Sequence, residues 1–94
     1  MKQFFVYILK CSDGSYYTGI TNDLQRRLYE HQNGLMKGYT SRKLPVELVF
    51  TASFTDVNEA IRFEKQIKGW SRKKKEALIK GDFELLKALS KKKK

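Results

Sequence analysis

"VYILKCSDGSYYTGITNDLQRR", from Val6 to Arg27, is the stretch that decides the fold. The run from Phe4 to Lys10 is β-branched and aromatic and apolar on both faces, so it reads as the central strand of a sheet. "CSDGS" (11–15) is a turn, because Asp-Gly is a strong hairpin signal. "SYYTGI" (15–20) makes a second strand, and Gly19 near its end marks a place where another backbone or a ligand comes close. "TND" then opens a helix. Asn22 is a good N-cap residue, and Gln25 stands three residues on, as in a capping box.

The turn length sets which faces the tyrosines occupy. A three-residue turn, Ser12-Asp13-Gly14, pairs Cys11 with Ser15, Tyr7 with Gly19 and Leu9 with Tyr17. Tyr7 and Tyr17 are then diagonal neighbours on one face, about 7–8 Å apart between backbones. A two-residue turn sends them to opposite faces. A tyrosine pair in such a place also has a plain reading as core aromatics.

The first helix runs to about Asn33, with Gly34 ending it in the left-handed conformation. At about 100° per residue, Leu24 and Leu28 form its buried centre, and Arg27 and His31 flank them. Arg26 and Glu30 point elsewhere. Residues 34–45, "GLMKGYTSRKLP", form an exposed, mobile loop. Residues 46–54 make a third strand. Asp56 or Thr55 caps a helix reaching about Trp70, and another helix spans about 72–80. "GDF" breaks that one, and 83–90 suits a short last helix. The order β-β-α-β-α-α describes an α+β domain over residues 1–90, with a three-stranded antiparallel sheet flanked by helices. Lys91–Lys94 read as a solvated, frayed basic tail.

The second long helix carries an anomaly. Val57, Ala60, Ile61, Phe63, Ile67 and Trp70 share one broad face, and Glu64 falls inside it, while Glu59, Arg62 and Lys65 lie outside. A carboxylate on a buried stripe is costly unless a cation or hydrogen-bond donors meet it. Two arrangements satisfy it: a salt bridge, with Arg27 a candidate partner, or a divalent metal ion.

The bulk numbers exclude several classes. The 94 residues are 40% hydrophobic, which suits a globular chain. One cysteine, Cys11, allows no intrachain disulfide, and no signal-peptide pattern or membrane-length apolar run is present, so a cytoplasmic protein is expected. No cysteine–histidine cluster, Walker motif or dinucleotide-binding glycine pattern supports a zinc or nucleotide fold. The net charge is +10, and most of it lies beyond residue 60. Such a surface attracts polyanions, nucleic acid first. Arg72, Lys73, Lys74 and Lys75 are the densest basic stretch and the candidate nucleic-acid contact. A solvated helix face is their plain alternative.

Tyr7, Tyr17, Arg27 and Glu64 carry a family resemblance. The chain resembles the GIY-YIG nuclease domain, in particular small stand-alone members related to the N-terminal nuclease domain of the excision-repair subunit UvrC. The first motif reads Phe5-Val6-Tyr7 and the second Tyr17-Thr18-Gly19. Arg27 follows ten residues past the second tyrosine, and Glu64 lies in "AIRFEKQIKGW". The resemblance covers about residues 4–80. It implies an endonuclease cutting DNA with one divalent cation, Mg²⁺ or Mn²⁺, in repair or recombination. Glu64 would be the sole protein metal ligand and Tyr17 or Tyr7 the general base. Arg27 would steady the phosphate, and His31 matches a position near the scissile group. Phe5 stands where the motif has a glycine, Ile20 where repair relatives have a lysine, and the last segment lacks an asparagine that many relatives carry. A binding module that has lost the chemistry is the alternative these departures raise.

Overall fold

In the computed structural model, which describes residues 2–90, the chain forms a three-stranded antiparallel sheet and four helices. The strands are β1 (Phe4–Lys10), β2 (Tyr16–Thr21) and β3 (Glu47–Phe54), in the spatial order β2-β1-β3. The run that is apolar on both faces is therefore the central strand, as its pattern requires. The helices are α1 (Leu24–Gln32), α2 (Val57–Lys68), α3 (Arg72–Lys80) and α4 (Phe83–Ser90). The basic tail expected at Lys91–Lys94 lies outside the described residues.

The hairpin uses the three-residue turn. Cys11 N–H donates to the Ser15 carbonyl at 2.8 Å, and Gly14 takes φ +85°, a conformation that costs a glycine nothing. Tyr7 is paired with Gly19 and Leu9 with Tyr17. On the other side, β1 pairs with β3, with a register shift between Ile8 and Leu9.

Alternation along β1 splits the interior in two. Val6 and Ile8 face a cluster with Ala60, Ile67 and Leu78, which is covered by α2, α3 and Leu86 of α4. Tyr7 and Leu9 face a second cluster with Cys11 and Val46, closed by Tyr17, Leu24, Leu28 and Leu48. Burying side chains of this size contributes about 1.5–3 kcal/mol each. On α2 the buried stripe is Ala60, Glu64 and Ile67; Val57 and Ile61, expected on that face, are each 38% exposed. The stripe is narrower than the sequence wheel because only one row of α2, spaced four and three residues, meets the sheet.

Two local expectations change. The cap of α1 is Asp23, not Asn22: the Asp23 carboxylate accepts from the Arg26 N–H at 3.1 Å, and Thr21 Oγ1 accepts from the Asp23 N–H at 3.0 Å. A charged acceptor makes the stronger cap bond, and Thr21 holds it in place. The loop 34–45 is also better anchored than an exposed loop should be. Thr40 is buried, and the Ser12 N–H donates to the Lys43 carbonyl at 2.9 Å. Replacing Asp23 with Ala should lower unfolding stability by about 1 kcal/mol, and Asn22→Ala should change it by less than about 0.5 kcal/mol. Urea unfolding of both variants checks this; equal losses would return the cap to Asn22.

Candidate active site

The pleat of β1 sends Tyr7 to the face that α1 covers, and the pairing with Gly19 decides where its phenol lies. A side chain at position 19 would overlap the Tyr7 hydroxyl and ring carbons, so the phenol rests directly over Gly19. β2 is the edge strand. Gly19 therefore lets a residue of the central strand deliver its hydroxyl toward the sheet edge. The close approach expected at Gly19 is made by the protein's own tyrosine.

At that edge three elements and a loop converge. Tyr7 Oη is 2.9 Å from Nε2 of His31, on the last turn of α1. His31 is 1% exposed, and its Nδ1 is 2.8 Å from Thr40 Oγ1. Tyr17 packs alongside, its ring centroid 6.4 Å from that of Tyr7 and 5.1 Å from that of His31. Tyr39, from the loop, lies 6.0 Å outside Tyr17 and carries the Lys43 ammonium 3.7 Å above its ring. The tyrosine pair thus shares one face, as the three-residue turn requires.

Arg27 reaches this cluster through its charge, and its Nε also lies 3.3 Å from Glu30 Oε1. Glu30 holds Arg26 as well, at 3.4 Å. It thus pairs with both arginines at the helical spacings of four and three residues. Glu64, 8% exposed, has its charge felt at Tyr7. Its cation is Lys68, 2.6 Å from Oε2 and one turn along α2, rather than Arg27. A partner four residues ahead is geometrically the nearest available.

The electrostatics follow from burial. The Tyr7 hydroxyl is pushed up to about 12, first by burial and then by Tyr17, while Arg27 opposes the shift. A phenolate at Tyr7 is thus disfavoured at neutral pH. Burial also pushes His31 below its ordinary value of 6.5, Arg27 adds to this, and Glu30 opposes it. The imidazole is accordingly neutral near pH 7.

Among the described residues no three His, Cys, Asp or Glu side chains cluster into a metal cage built by the protein alone. Glu64 is the one nearly buried carboxylate of α2, and a single carboxylate is a sparse donor set. It fits a hard divalent cation that keeps most of its shell as water and phosphate oxygen. Lys68, whose side chain is 55% exposed, can swing out to free Glu64 Oε2.

Of the basic stretch, Arg72 is committed within the fold. Its Nη1 donates to the Gly14 carbonyl at 2.7 Å, its Nε lies 3.1 Å from Glu76 Oε2, and its guanidinium covers the Tyr16 ring. Lys74 lies over Trp70 at 4.8 Å. Lys73 is exposed and Lys75 half-buried. Thr40, Tyr39, Glu30 and Lys68 are the site residues that sequence reasoning missed. Lys68 and Glu30 left a signal, their spacing of three or four residues from an opposite charge.

Fold and site together define a class: a β-hairpin bearing paired tyrosines, followed by a helix bearing Arg27 and a second bearing Glu64. The family model described as the GIY-YIG catalytic domain matches residues 3–77. The chain belongs to the GIY-YIG family. It is 52% identical over 74 residues to a UPF0213 protein of Halobacterium salinarum, covering 79% of this chain and 96% of that one. It is 47% identical over 75 residues to a UPF0213 protein of Bacillus pumilus, covering 80% and 76%. Two solution NMR structures share the fold. The UPF0213 protein BH0048 from Bacillus halodurans matches with TM-score 0.56 at 45% identity over 83% of each chain. The protein EF2693 from E. faecalis matches with TM-score 0.62 at 39% identity over 90% of each.

A histidine held neutral in the fold gives stability a defined pH dependence. Its contribution is fully present above the unfolded value near 6.5 and is lost as pH falls toward the lowered folded value. The melting temperature should therefore fall between about pH 7 and pH 5, and His31→Gln should flatten that slope. Calorimetry of both proteins across this range measures it; an unchanged slope in the variant would remove His31 from the account.

Proposed function

We propose that this protein is a metal-dependent endonuclease that hydrolyses DNA phosphodiester bonds. The observation that carries the reading is the packing of Tyr7, Tyr17 and His31 at one sheet edge, with the charges of Arg27 and Glu64 felt at Tyr7. Membership of a family whose matched model is a catalytic domain supports it. So does the +10 charge of the chain, which favours a polyanionic substrate.

Each residue then has a chemical task. Attack of water on phosphorus requires a proton to leave the water. Tyr7 takes that proton on its oxygen as its own passes to His31 Nε2, so no free phenolate is needed. Tyr7 is chosen over Tyr17 because it is hydrogen-bonded to a neutral imidazole. Tyr17, half-buried beside it, orients the water. Arg27 offsets charge on the phosphoryl oxygens as the bond to the leaving oxygen breaks. Glu64 would hold one Mg²⁺ or Mn²⁺, which when bound supplies Lewis acidity to the phosphate. Lys73 and Lys75 contribute sequence-independent contacts to the DNA backbone.

No helix among the described residues is long and apolar enough to cross a membrane. A cytoplasmic location agrees with the single free thiol at Cys11. A second reading, nucleic-acid binding without cleavage, draws on the Lys68 ammonium already held by Glu64.

Incubation with branched, damaged and single-stranded DNA plus Mg²⁺ or Mn²⁺ separates the two. Wild-type protein should cut, and Glu64→Gln should lose about 100-fold or more in rate while still binding DNA. Binding that fades with salt, with no cleavage under any metal, would establish the binding module instead.

A further inference from the structure

Thr40 lies in the irregular segment between α1 and β3, yet it is 2% exposed. Its hydroxyl, the His31 ring and the Tyr7 phenol form one buried hydrogen-bonded line, with contacts of 2.8 Å and 2.9 Å. The segment is tied down around it. The Lys43 N–H donates to the Thr40 carbonyl at 3.0 Å, the Lys43 carbonyl accepts from Ser12, and the Lys43 ammonium lies 3.1 Å from Asp13. The hairpin turn thus anchors the loop, and the loop grips the imidazole.

A neutral imidazole has one N–H and one bare nitrogen, so the two partners of His31 cannot play the same part. Hydrogen positions are assigned from those partners. A phenol is a stronger donor than an aliphatic alcohol, and a bare imidazole nitrogen is the strongest acceptor within its reach. The pairing that follows is Tyr7 Oη–H to Nε2, and Nδ1–H to Thr40 Oγ1.

We propose that Thr40 is a positioning residue: by accepting from Nδ1–H of His31 it keeps Nε2 bare and facing the Tyr7 hydroxyl. Its catalytic consequence rests on the nuclease reading above, while its hold on the tautomer is a property of the resting protein. Without the threonine oxygen, Nδ1–H would be buried without a partner. The ring would then favour the other tautomer, with Nε2–H donating to Tyr7, and the phenol proton would have nowhere to go. A wrongly set tautomer at a catalytic histidine is costly even when geometry is kept.

His31 is the chain's single histidine, so its ring can be followed without ambiguity. Long-range ¹H–¹⁵N correlation on the full chain, at about pH 8 where the ring is neutral, distinguishes Nδ1–H from Nε2–H. Wild type and Thr40→Ser should show Nδ1–H, and the near-isosteric Thr40→Val should move toward Nε2–H. On DNA with Mg²⁺ or Mn²⁺, Thr40→Val should lower kcat about tenfold or more with little change in KM, and Thr40→Ser should restore it. Nε2–H in the wild type, or Nδ1–H retained in a folded Thr40→Val, would overturn the proposal. If Thr40→Val does not fold, the wild-type and Thr40→Ser tautomers decide. A tautomer that responds as expected in a protein that cuts no DNA would uphold the hold on the ring and overturn only the nuclease reading.

Discussion

The hydrogen bond between the Tyr7 phenol and His31 Nε2 organises this molecule. It joins the central strand to the first helix across the edge strand, and it forms only because position 19 has no side chain. Its three preconditions are set far apart in the chain. The turn at Ser12-Asp13-Gly14 puts Tyr7 opposite Gly19. The Asp23 cap sets where α1 begins, and so where His31 falls on its last turn. The loop after α1 returns Thr40 to the far side of the imidazole. A buried polar chain of this kind is stabilising only when every member is satisfied, which ties the loop, the helix and the strand to one arrangement.

Around that bond the charges are placed by the same economy. Arg27 is paired with Glu30, and its charge opposes but does not offset the upward push of burial on the Tyr7 hydroxyl. Glu64 is nearly buried on the stripe of α2 that meets the sheet, and its counter-ion comes from its own helix on a solvent-exposed stem. A buried carboxylate with a detachable partner differs from a locked internal salt bridge. It can exchange an ammonium for another cation without leaving a charge unpaired. Arg72 shows the opposite case. Three contacts to the hairpin and to Glu76 fix it, and it serves to hold α3 against β2.

Much of this was readable in the residues. A double-faced apolar run marked β1 as central, Asp-Gly marked the hairpin turn while leaving its register to the turn length that the structure decides, and the misplaced carboxylate on the second helix singled out Glu64. These features rest on periodicities that local geometry imposes. What stayed hidden came from contacts with no period. Thr40 sits in a loop, where neither a two-residue nor a 3.6-residue repeat reports burial. Arg72 meets Gly14 across 58 residues of chain. Val57 and Ile61 show the limit of a helical wheel, which gives the apolar face but not the width of the surface it meets. Asn22 and Asp23 are both good caps, and the choice between them came from Thr21, a neighbour whose hydroxyl direction the sequence does not state.

If Tyr7 and His31 form a single proton-transfer unit, their losses cannot multiply. The decisive measurement is DNA cleavage by wild type, Tyr7→Phe, His31→Gln and the double variant. Each single change should slow cleavage by about 100-fold or more, and the double variant should be no slower than the worse single one. Losses that multiply in the double variant would show two independent groups and contradict the account.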